Sequence, residues 1–276
     1  MRRIYKDKLS VGLLWLCGLL SLAFLLLVVG YIFARGVGAI SWEFLTAPPR
    51  LMGKEGGIWP SIVSTVYLVT LSLLFASPVG VGAAIYFFEY AKNKRVIRYL
   101  RFATEILAAV PSILFGLFGF SFFVNFLGLG WSVLSGSLTL ALMILPTIQR
   151  TAEEALASVP KSYIEGSLAL GATRWQTMVQ VVLPAATSGI ITGIILAVGR
   201  SIGETAAVLL TAGSSLATPN SLFSPARSLS VHLFILATEG ISNQRAYATS
   251  LLLIVLVFLI NILANQLRRR LSRRSA

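Results

Sequence analysis

The sequence has very little cysteine and histidine. Its 276 residues include one cysteine, Cys17, and one histidine, His232. An intramolecular disulfide or a cysteine-based metal site requires more cysteines than the chain contains, and a single histidine with no partner pattern gives no basis for a Ser/His/Asp triad. We therefore expect no metal site and assign no role to His232. Cys17 lies in an apolar run and is expected to be a small buried residue.

An ATP-binding motif is also missing. The chain contains no GxxxxGK[ST] sequence, the loop that cradles phosphates in P-loop nucleotidases. No other set of catalytic residues is evident. The chain is therefore not expected to be an enzyme, nor to bind a cofactor of its own.

Charge is scarce for a soluble protein. Only 12% of the residues are charged and 56% are hydrophobic, whereas soluble domains have about 25% and 45–50%. Such a chain has too little polar surface to cover a globule in water, so its expected solvent is lipid. The net charge of +13 does not indicate nucleic-acid binding, because the basic residues form short clusters beside apolar segments.

Long apolar runs are what the sequence has instead. A spanning helix needs about 20 mostly apolar residues, and helices satisfy every backbone polar group within lipid. The predicted fold is all-α, a polytopic membrane protein with six transmembrane helices. The predicted spans are Leu9–Ala34, Ser61–Phe88, Phe102–Leu127, Trp131–Ile148, Ala185–Ala212 and Tyr247–Leu267.

Basic residues predict the orientation of these spans. Of the 23 lysines and arginines, 17 fall on the side that carries both termini, and five fall on the other side. The positive-inside rule then places both termini in the cytoplasm. The first apolar run is longer than the 7–15 residues of a signal peptide's apolar region, so we expect it to be retained.

Three regions follow from this pattern. Residues 1–60 are predicted to hold the first span and an outer loop, and residues 61–267 the main membrane domain. Residues 268–276 form a basic cytoplasmic tail. The outer segment 213–246 is rich in Ser, Thr, Asn and Pro, which fits either a solvated connector or a docking surface.

A charged cytoplasmic loop, Glu153–Pro184, separates the fourth and fifth spans. Pro160 suits the first turn of a helix, with Ser158 as its N-cap. Gly171 suits the left-handed position that ends a helix. Thr173 and Gln176 have the spacing of a capping box, which predicts a second helix immediately afterwards. The loop is thus predicted to be two short helices joined at a glycine, a structure more typical of a partner-binding element than of a tether.

The spacing within this loop resembles that of permease subunits of ATP-binding-cassette importers. Their cytoplasmic loop reads E-A-A, three residues, G, nine residues, I, one residue, L-P. Here Glu165-Gly166-Ser167 precedes Gly171 by the same interval, and Val181-Val182-Leu183-Pro184 closes the pattern. Gly166, Ser167 and Val181 depart from the pattern but keep small or similar side chains. The resemblance implies a type-I importer permease fold in which the first short helix contacts a cytoplasmic ATPase. The implied coupling residues are Glu165, Gly166, Ser167, Leu168, Ala169, Leu170 and Gly171.

Further segments resemble the phosphate-specific branch of that family and favour its A-type over its C-type permease. With them, the resemblance extends over nearly the whole chain. They are GIWPSIV at 57–63, VPSILFGLF at 110–118, LPTIQRTAEE at 145–154, GRSIGETA at 199–206, LLTAG at 209–213 and SVH at 230–232.

Two charges lie within the predicted fifth span. Arg200 and Glu204 are four residues apart, so we expect them on one face of a helix. A charge within the bilayer usually faces the bundle interior or a polar path. The pair could simply neutralise itself. Alternatively, the guanidinium suits the oxygens of phosphate, with Glu204 holding Arg200 or accepting a proton. Ser201 and Thr205 would add hydroxyl donors. The resemblance likewise places Arg200 and Glu204 in the phosphate path.

The resemblance also implies partners. These are a second, non-identical permease subunit, a cytoplasmic ATPase dimer that binds ATP and Mg²⁺, and an extracytoplasmic phosphate-binding protein. The implied location is the cell inner (plasma) membrane. The residues leave three alternatives open: an importer for molybdate or sulfate, a membrane enzyme or channel, and a regulatory membrane subunit that does not transport.

Overall fold

The computed structural model describes the backbone of residues 2–90 and 94–272. Lys92, Arg273 and Arg274, which entered the charge comparison, lie outside these ranges. The α-helices of the described chain are α1 (Arg2–Gly36), α2 (Trp42–Thr46), α3 (Trp59–Ile85), α4 (Lys94–Ala109), α5 (Ser112–Gly119), α6 (Val133–Ala157), α7 (Lys161–Ala169), α8 (Arg174–Thr177), α9 (Leu183–Gly203), α10 (Ala206–Thr211), α11 (Leu229–Thr238) and α12 (Asn243–Ser272).

Shorter elements join these helices. Two strands, β1 (Pro49–Arg50) and β2 (Glu55–Gly56), pair antiparallel in the outer loop after α1. The remaining helical pieces are 3-10 turns at Val37–Ala39 and Leu51–Gly53 and π-helical segments at Tyr86–Tyr90, Phe120–Phe126 and Met178–Val182. The predicted all-α class is confirmed, with this two-residue ladder as a minor addition.

Within the described residues, five helical segments are long and apolar enough to cross a membrane, and a bent pair of helices raises the number to six. The segments are Val11–Ala39, Trp59–Tyr90, Val133–Ala157, Arg174–Gly203 and Asn243–Gln266, with the bent pair at Arg95–Ala109 and Ser112–Phe126. The predicted number of spans therefore holds only if the bent pair is counted as one.

The centre of the bundle is α6, which packs against α3 on one side and α9 on the other. Its buried residues Leu140, Met143 and Ile144 form a cluster with Leu68 of α3. Small residues allow this close approach. A Cβ atom at Gly80 of α3 would lie only 3.0 Å from Cγ2 of Ile148. By contrast, α1 packs mainly along α12, and its spanning part leaves its surface exposed.

Cys17 was expected to be buried, and this was wrong. It is exposed on α1, because α1 is peripheral and most of its surface faces away from the protein. In a membrane such a surface contacts lipid, for which a small apolar thiol is well suited.

Three predicted boundaries were also wrong. The fourth span continues to Ala157, so Glu153 and Glu154 belong to the last turns of α6 rather than to the loop. The third span is broken at Val110 and Pro111, where the two helices meet at 99°. The fifth span stops at Gly203 and resumes as α10. Proline explains the second departure, because it has no N–H to donate and disfavours helix at the preceding residue.

The outer segments pack on one another rather than forming solvated connectors. Phe44 of α2, Ile58, Leu229 of α11 and Ala248 of α12 form one buried cluster. The Leu229 N–H donates to Oγ1 of Thr65 at 2.9 Å. The segment 213–246, for which a solvated connector was one alternative, therefore contains a buried ten-residue helix. Its composition did not reveal this, because polar residues there cap and anchor the helix.

Candidate functional site

The seven residues predicted to contact an ATPase lie together on α7 and the turn that ends it. No residue of α7 is buried. Leu170, at the end of the helix, is 90% exposed, and Leu168 is 39% exposed. Ser167 is half-buried, with its Oγ 2.9 Å from Oγ1 of Thr177. The loop thus presents a mixed apolar and polar surface away from the bundle.

Local hydrogen bonds hold the turn after α7. Gly171 has φ +87°, a conformation that glycine adopts at no steric cost, and its N–H donates to the Leu168 carbonyl at 3.0 Å. The Gln176 N–H donates to Oγ1 of Thr173 at 3.2 Å, and the Thr173 N–H donates to Oε1 of Gln176 at 2.8 Å. The predicted glycine turn and capping box are both confirmed.

The predicted N-cap of α7 was wrong. Pro160 occupies the N-cap position, with no side-chain cap. The hydroxyl of Ser158 instead donates to the Ala155 carbonyl at 2.7 Å, because α6 extends further than its apolar part suggested. Ser158 is therefore the C-cap of α6.

The inner side of the loop is attached to the ends of two spans. Met178 and Val182, each 1% exposed, pack with Ala84 of α3 and Leu156 of α6 in one buried cluster. At the rim of this contact, Nη1 of Arg174 lies 3.0 Å from Oε1 of Glu89, in the π-helical end of the second span. A displacement of the loop would therefore also move the ends of α3 and α6, in addition to α9, to which the loop is covalently joined.

Arg200 lies in the last turn of α9 and is exposed. Cβ atoms placed at Gly199 and Gly203 would meet nothing within 4 Å. This part of α9 therefore forms an open face, defined here by Gly199, Arg200 and Gly203. Because the face has a charge and little side-chain bulk, it can admit a polar solute or a partner surface.

Glu204 does not share a helical face with Arg200, so the predicted arrangement was wrong. It is the C-cap of α9, with φ −73° and ψ 128°. Its Oε1 accepts the N–H of Ala207 at 3.3 Å, and its carbonyl accepts the Ser230 hydroxyl at 2.6 Å. The hydrogen bond from Ser230 of α11 stabilises the break between α9 and α10. Because it joins residues far apart in the chain, the local sequence could not reveal it. Among the described ion pairs there is none between Arg200 and Glu204.

The two hydroxyls predicted beside Arg200 lie in different places. Ser201 is 3% exposed and points into the bundle, away from the open face. Thr205 is half-buried in the break itself, with its Oγ1 3.4 Å from the Gly203 carbonyl. Of the two, only Thr205 lies at the break with Glu204.

Two residues that received no role from the sequence are buried near α11. His232 is fully buried, and among the described atoms neither ring nitrogen has a hydrogen-bond partner. Arg227 is 4% exposed, and its Nε donates to the Ser214 carbonyl at 2.8 Å. Burial, followed by the positive charge of Arg227, lowers the pKa of His232 to about 4. The imidazole is therefore neutral at physiological pH. A lone histidine in a polar segment gave no signal of this burial.

Known relatives align over nearly the full chain. The "Probable ABC transporter permease protein YqgI" of Bacillus subtilis is 37% identical, over 97% of this chain and 96% of the relative. The "Phosphate transport system permease protein PstA" of Haemophilus influenzae is 32% identical, over 93% and 91%.

Solved structures share the fold at lower identity. A chain of a bacterial alginate ABC transporter superposes with a TM-score of 0.71 and 16% identity, over 98% of each chain. A chain of the MetNI methionine ABC transporter superposes with a TM-score of 0.64 and 21% identity, over 75% of this chain and 93% of that one. At these identities the likeness concerns the fold alone.

The family model that matches covers residues 76–275 and describes the "Binding-protein-dependent transport system inner membrane component". It includes the exposed α7, the buried cluster beneath it and the open face of α9. A multi-pass helical bundle with an exposed, anchored helix between two spans is the form expected of such a component. The chain belongs to this family and is a permease subunit of an ATP-binding-cassette importer.

Proposed function

We propose that this chain is the A-type permease subunit of an ATP-driven phosphate importer and forms half of the phosphate path. The observation that carries the proposal is the exposed Arg200 on the open face of α9, beside a break in a span. Irregular backbone at membrane depth is tolerated where it is buried in protein or lines a polar cavity. The phosphate permease names of several relatives support the choice of solute.

The chemistry of the open face suits a tetrahedral oxyanion. The guanidinium of Arg200 offers a planar fork of N–H donors that can bind two phosphate oxygens at once. Glu204 is half-buried in the neighbouring break and is not paired with Arg200 in the described chain. We assign it the role of a nearby negative charge that weakens anion binding, because transport requires release as well as capture.

The exposed α7 would dock on a cytoplasmic ATPase, through the set Glu165 to Gly171. ATP and Mg²⁺ would be bound and hydrolysed by that partner, so this chain needs neither a nucleotide site nor a cofactor. A second, non-identical permease would complete the path, and an extracytoplasmic phosphate-binding protein would deliver the anion to the outer segments. The excess of basic residues supports cytoplasmic termini in a plasma (inner) membrane.

Reconstitution tests the proposal directly. Vesicles holding this chain with its partner permease, ATPase and binding protein should accumulate labelled phosphate only when ATP is supplied. Unlabelled phosphate should compete strongly, whereas molybdate and sulfate should compete weakly. Strong competition by either of those anions would instead favour an importer for that oxyanion, since the same fork of donors can bind it.

A non-transporting regulatory subunit predicts a different outcome. In that case the assembled complex would bind the ATPase and respond to phosphate without any accumulation of label. Measuring uptake and phosphate-stimulated ATP hydrolysis on the same vesicles separates the two functions.

A further inference from the structure

Helix α4 differs from the other membrane segments in direction. It follows the cytoplasmic end of the second span and meets the helix from Ser112 to Phe126 at 99°. Two helices at right angles cannot both run along the membrane normal. The second helix follows α10 over successive turns, with Gly116 against Ala207 and Gly119 against Thr211. We therefore place this helix along the bundle and α4 across it.

Contacts with α6 define the depth of α4. Arg101 forms an ion pair with Glu153, and Oγ1 of Thr104 donates to Oε1 of Gln149 at 3.4 Å. Gln149 and Arg150 are the first strongly polar residues after the apolar part of α6. α4 is therefore bound where α6 leaves the hydrocarbon, at the cytoplasmic boundary of the membrane.

The two faces of α4 have opposite chemistry. Val96, Tyr99, Leu100 and Ile106 recur at helical spacing on one face, and all four are exposed. Tyr99 is 73% exposed. The opposite face carries Arg98, which is also exposed, together with Arg101 and Glu105. A helix with an apolar face and a cationic face is typical of segments that lie in a membrane interface.

We propose that α4 is an interfacial helix bound to anionic phospholipid. Its apolar face enters the boundary between headgroups and acyl chains, and Arg98 approaches the lipid phosphates on the cytoplasmic side. Charge favours lipid as the occupant, because the cytoplasmic leaflet is negative and each basic residue near it is attracted. The depth and the direction of α4 both support this placement, because a helix that is perpendicular to the spans at this boundary lies parallel to the lipid surface.

Site-directed fluorescence tests this placement in the full chain, purified with its partner subunits and reconstituted in phosphatidylglycerol vesicles. In a Cys17→Ser background, Tyr99→Cys receives a fluorophore. We expect several-fold stronger quenching by lipids with a nitroxide near the headgroup than by lipids with one at the end of the acyl chain. The matched control is Trp175→Cys, an exposed position on the same side of the membrane and outside the set assigned to ATPase docking, where neither lipid should quench.

Two results would overturn the proposal. Absence of quenching at Tyr99→Cys would mean that protein or water covers this face. Stronger quenching by the deep nitroxide would mean that α4 crosses the bilayer.

The contribution of charge is tested separately. Replacing phosphatidylglycerol by phosphatidylcholine should reduce quenching of the Tyr99→Cys label several-fold, and adding Arg98→Gln should remove most of this lipid dependence. The control is Arg150→Gln, which removes an exposed arginine of α6 and should leave the dependence intact. Equal quenching in both lipids would contradict an anionic-lipid site. None of these readouts requires transport, so they stand apart from the proposed function.

Discussion

The α7–α8 loop and the α9–α10 break both interrupt the membrane bundle with charged residues, but they are held differently. The loop is closed by hydrogen bonds between residues a few positions apart, such as Thr173 with Gln176. The break at Glu204 is tied to Ser230 of α11, far away in the sequence. The turn and cap of the loop can therefore form without distant contacts, although the inner side of the loop packs on α3 and α6, whereas the break depends on α11.

The first prediction concerns the open face of α9, where the largest effect is expected. Arg200→Ala should lower ATP-dependent phosphate uptake by about 10- to 150-fold, the equivalent of about 1.5–3 kcal/mol for hydrogen bonds to a charged group. Arg200→Lys should recover part of the loss, because it keeps the charge without the planar fork. Uptake is measured in vesicles with equal amounts of assembled complex. Normal uptake by Arg200→Ala would remove this face from the path.

Acid should weaken the outer helix that anchors the break. The folded pKa of His232 is about 4, below the unfolded value of about 6.5, so the unfolded chain takes up a proton first as pH falls. The buried, neutral His232 contributes fully to stability above about pH 6.5. As pH falls towards 4, the free energy of unfolding decreases by about 3 kcal/mol at most.

The measurement is the thermal unfolding midpoint in detergent across this pH range, for the original chain and for His232→Asn. Removal of the titrating group should flatten the slope, whatever the absolute stability of the variant. An unchanged slope would show that His232 is not the group responsible.

A smaller effect is expected at the loop, where the constraint is local. Gly171→Ala places a side chain at φ +87°, which costs about 1–2 kcal/mol. If the turn changes shape to relieve this strain, ATPase binding should weaken by about 5- to 30-fold. The binding affinity of the purified ATPase measures the effect.

The matched control is Gly166→Ala. Gly166 lies within helical α7 with open space around it, and the loop pattern that the sequence resembles has alanine at this position. It should bind the ATPase normally. Equal losses in both variants would point to an effect of surface shape rather than of backbone conformation.

The smallest predicted effect lies where the loop meets α3. A double-mutant cycle with Glu89→Gln and Arg174→Gln should give a coupling of up to about 1 kcal/mol in the free energy of unfolding. The exposure of Arg174 limits its strength, but the Glu89 side chain is only 16% exposed. Arg150 and Glu154, both about 70% exposed, serve as the control pair and should couple by about 0.3–0.5 kcal/mol, as helix pairs at this spacing do. Equal coupling in both pairs would show that the ion pair between the loop and α3 stabilises the protein no more than an exposed pair within one helix does.

The fold class and the local structure of the α7–α8 loop could be predicted from the sequence for physical reasons that act over short distances. Apolar runs of sufficient length must form helices in lipid, whatever their neighbours. Gly171 permits a positive φ because it has no Cβ atom, the side chains of Thr173 and Gln176 form the cap, and the structure has the same turn and cap. The roles assigned to the coupling and path residues stay predictions.

Tertiary structure decided what these local signals could not. Arg200 and Glu204 have helical spacing, yet Ser230 binds the Glu204 carbonyl and the helix ends before it. α4 looked like part of a span, because its apolar residues are numerous, but its contacts with Gln149 and Glu153 hold it across the bundle. Hydropathy and the spacing of apolar residues indicate which side chains of a segment can be buried. The direction in which it runs depends on hydrogen bonds and packing between residues far apart in the chain.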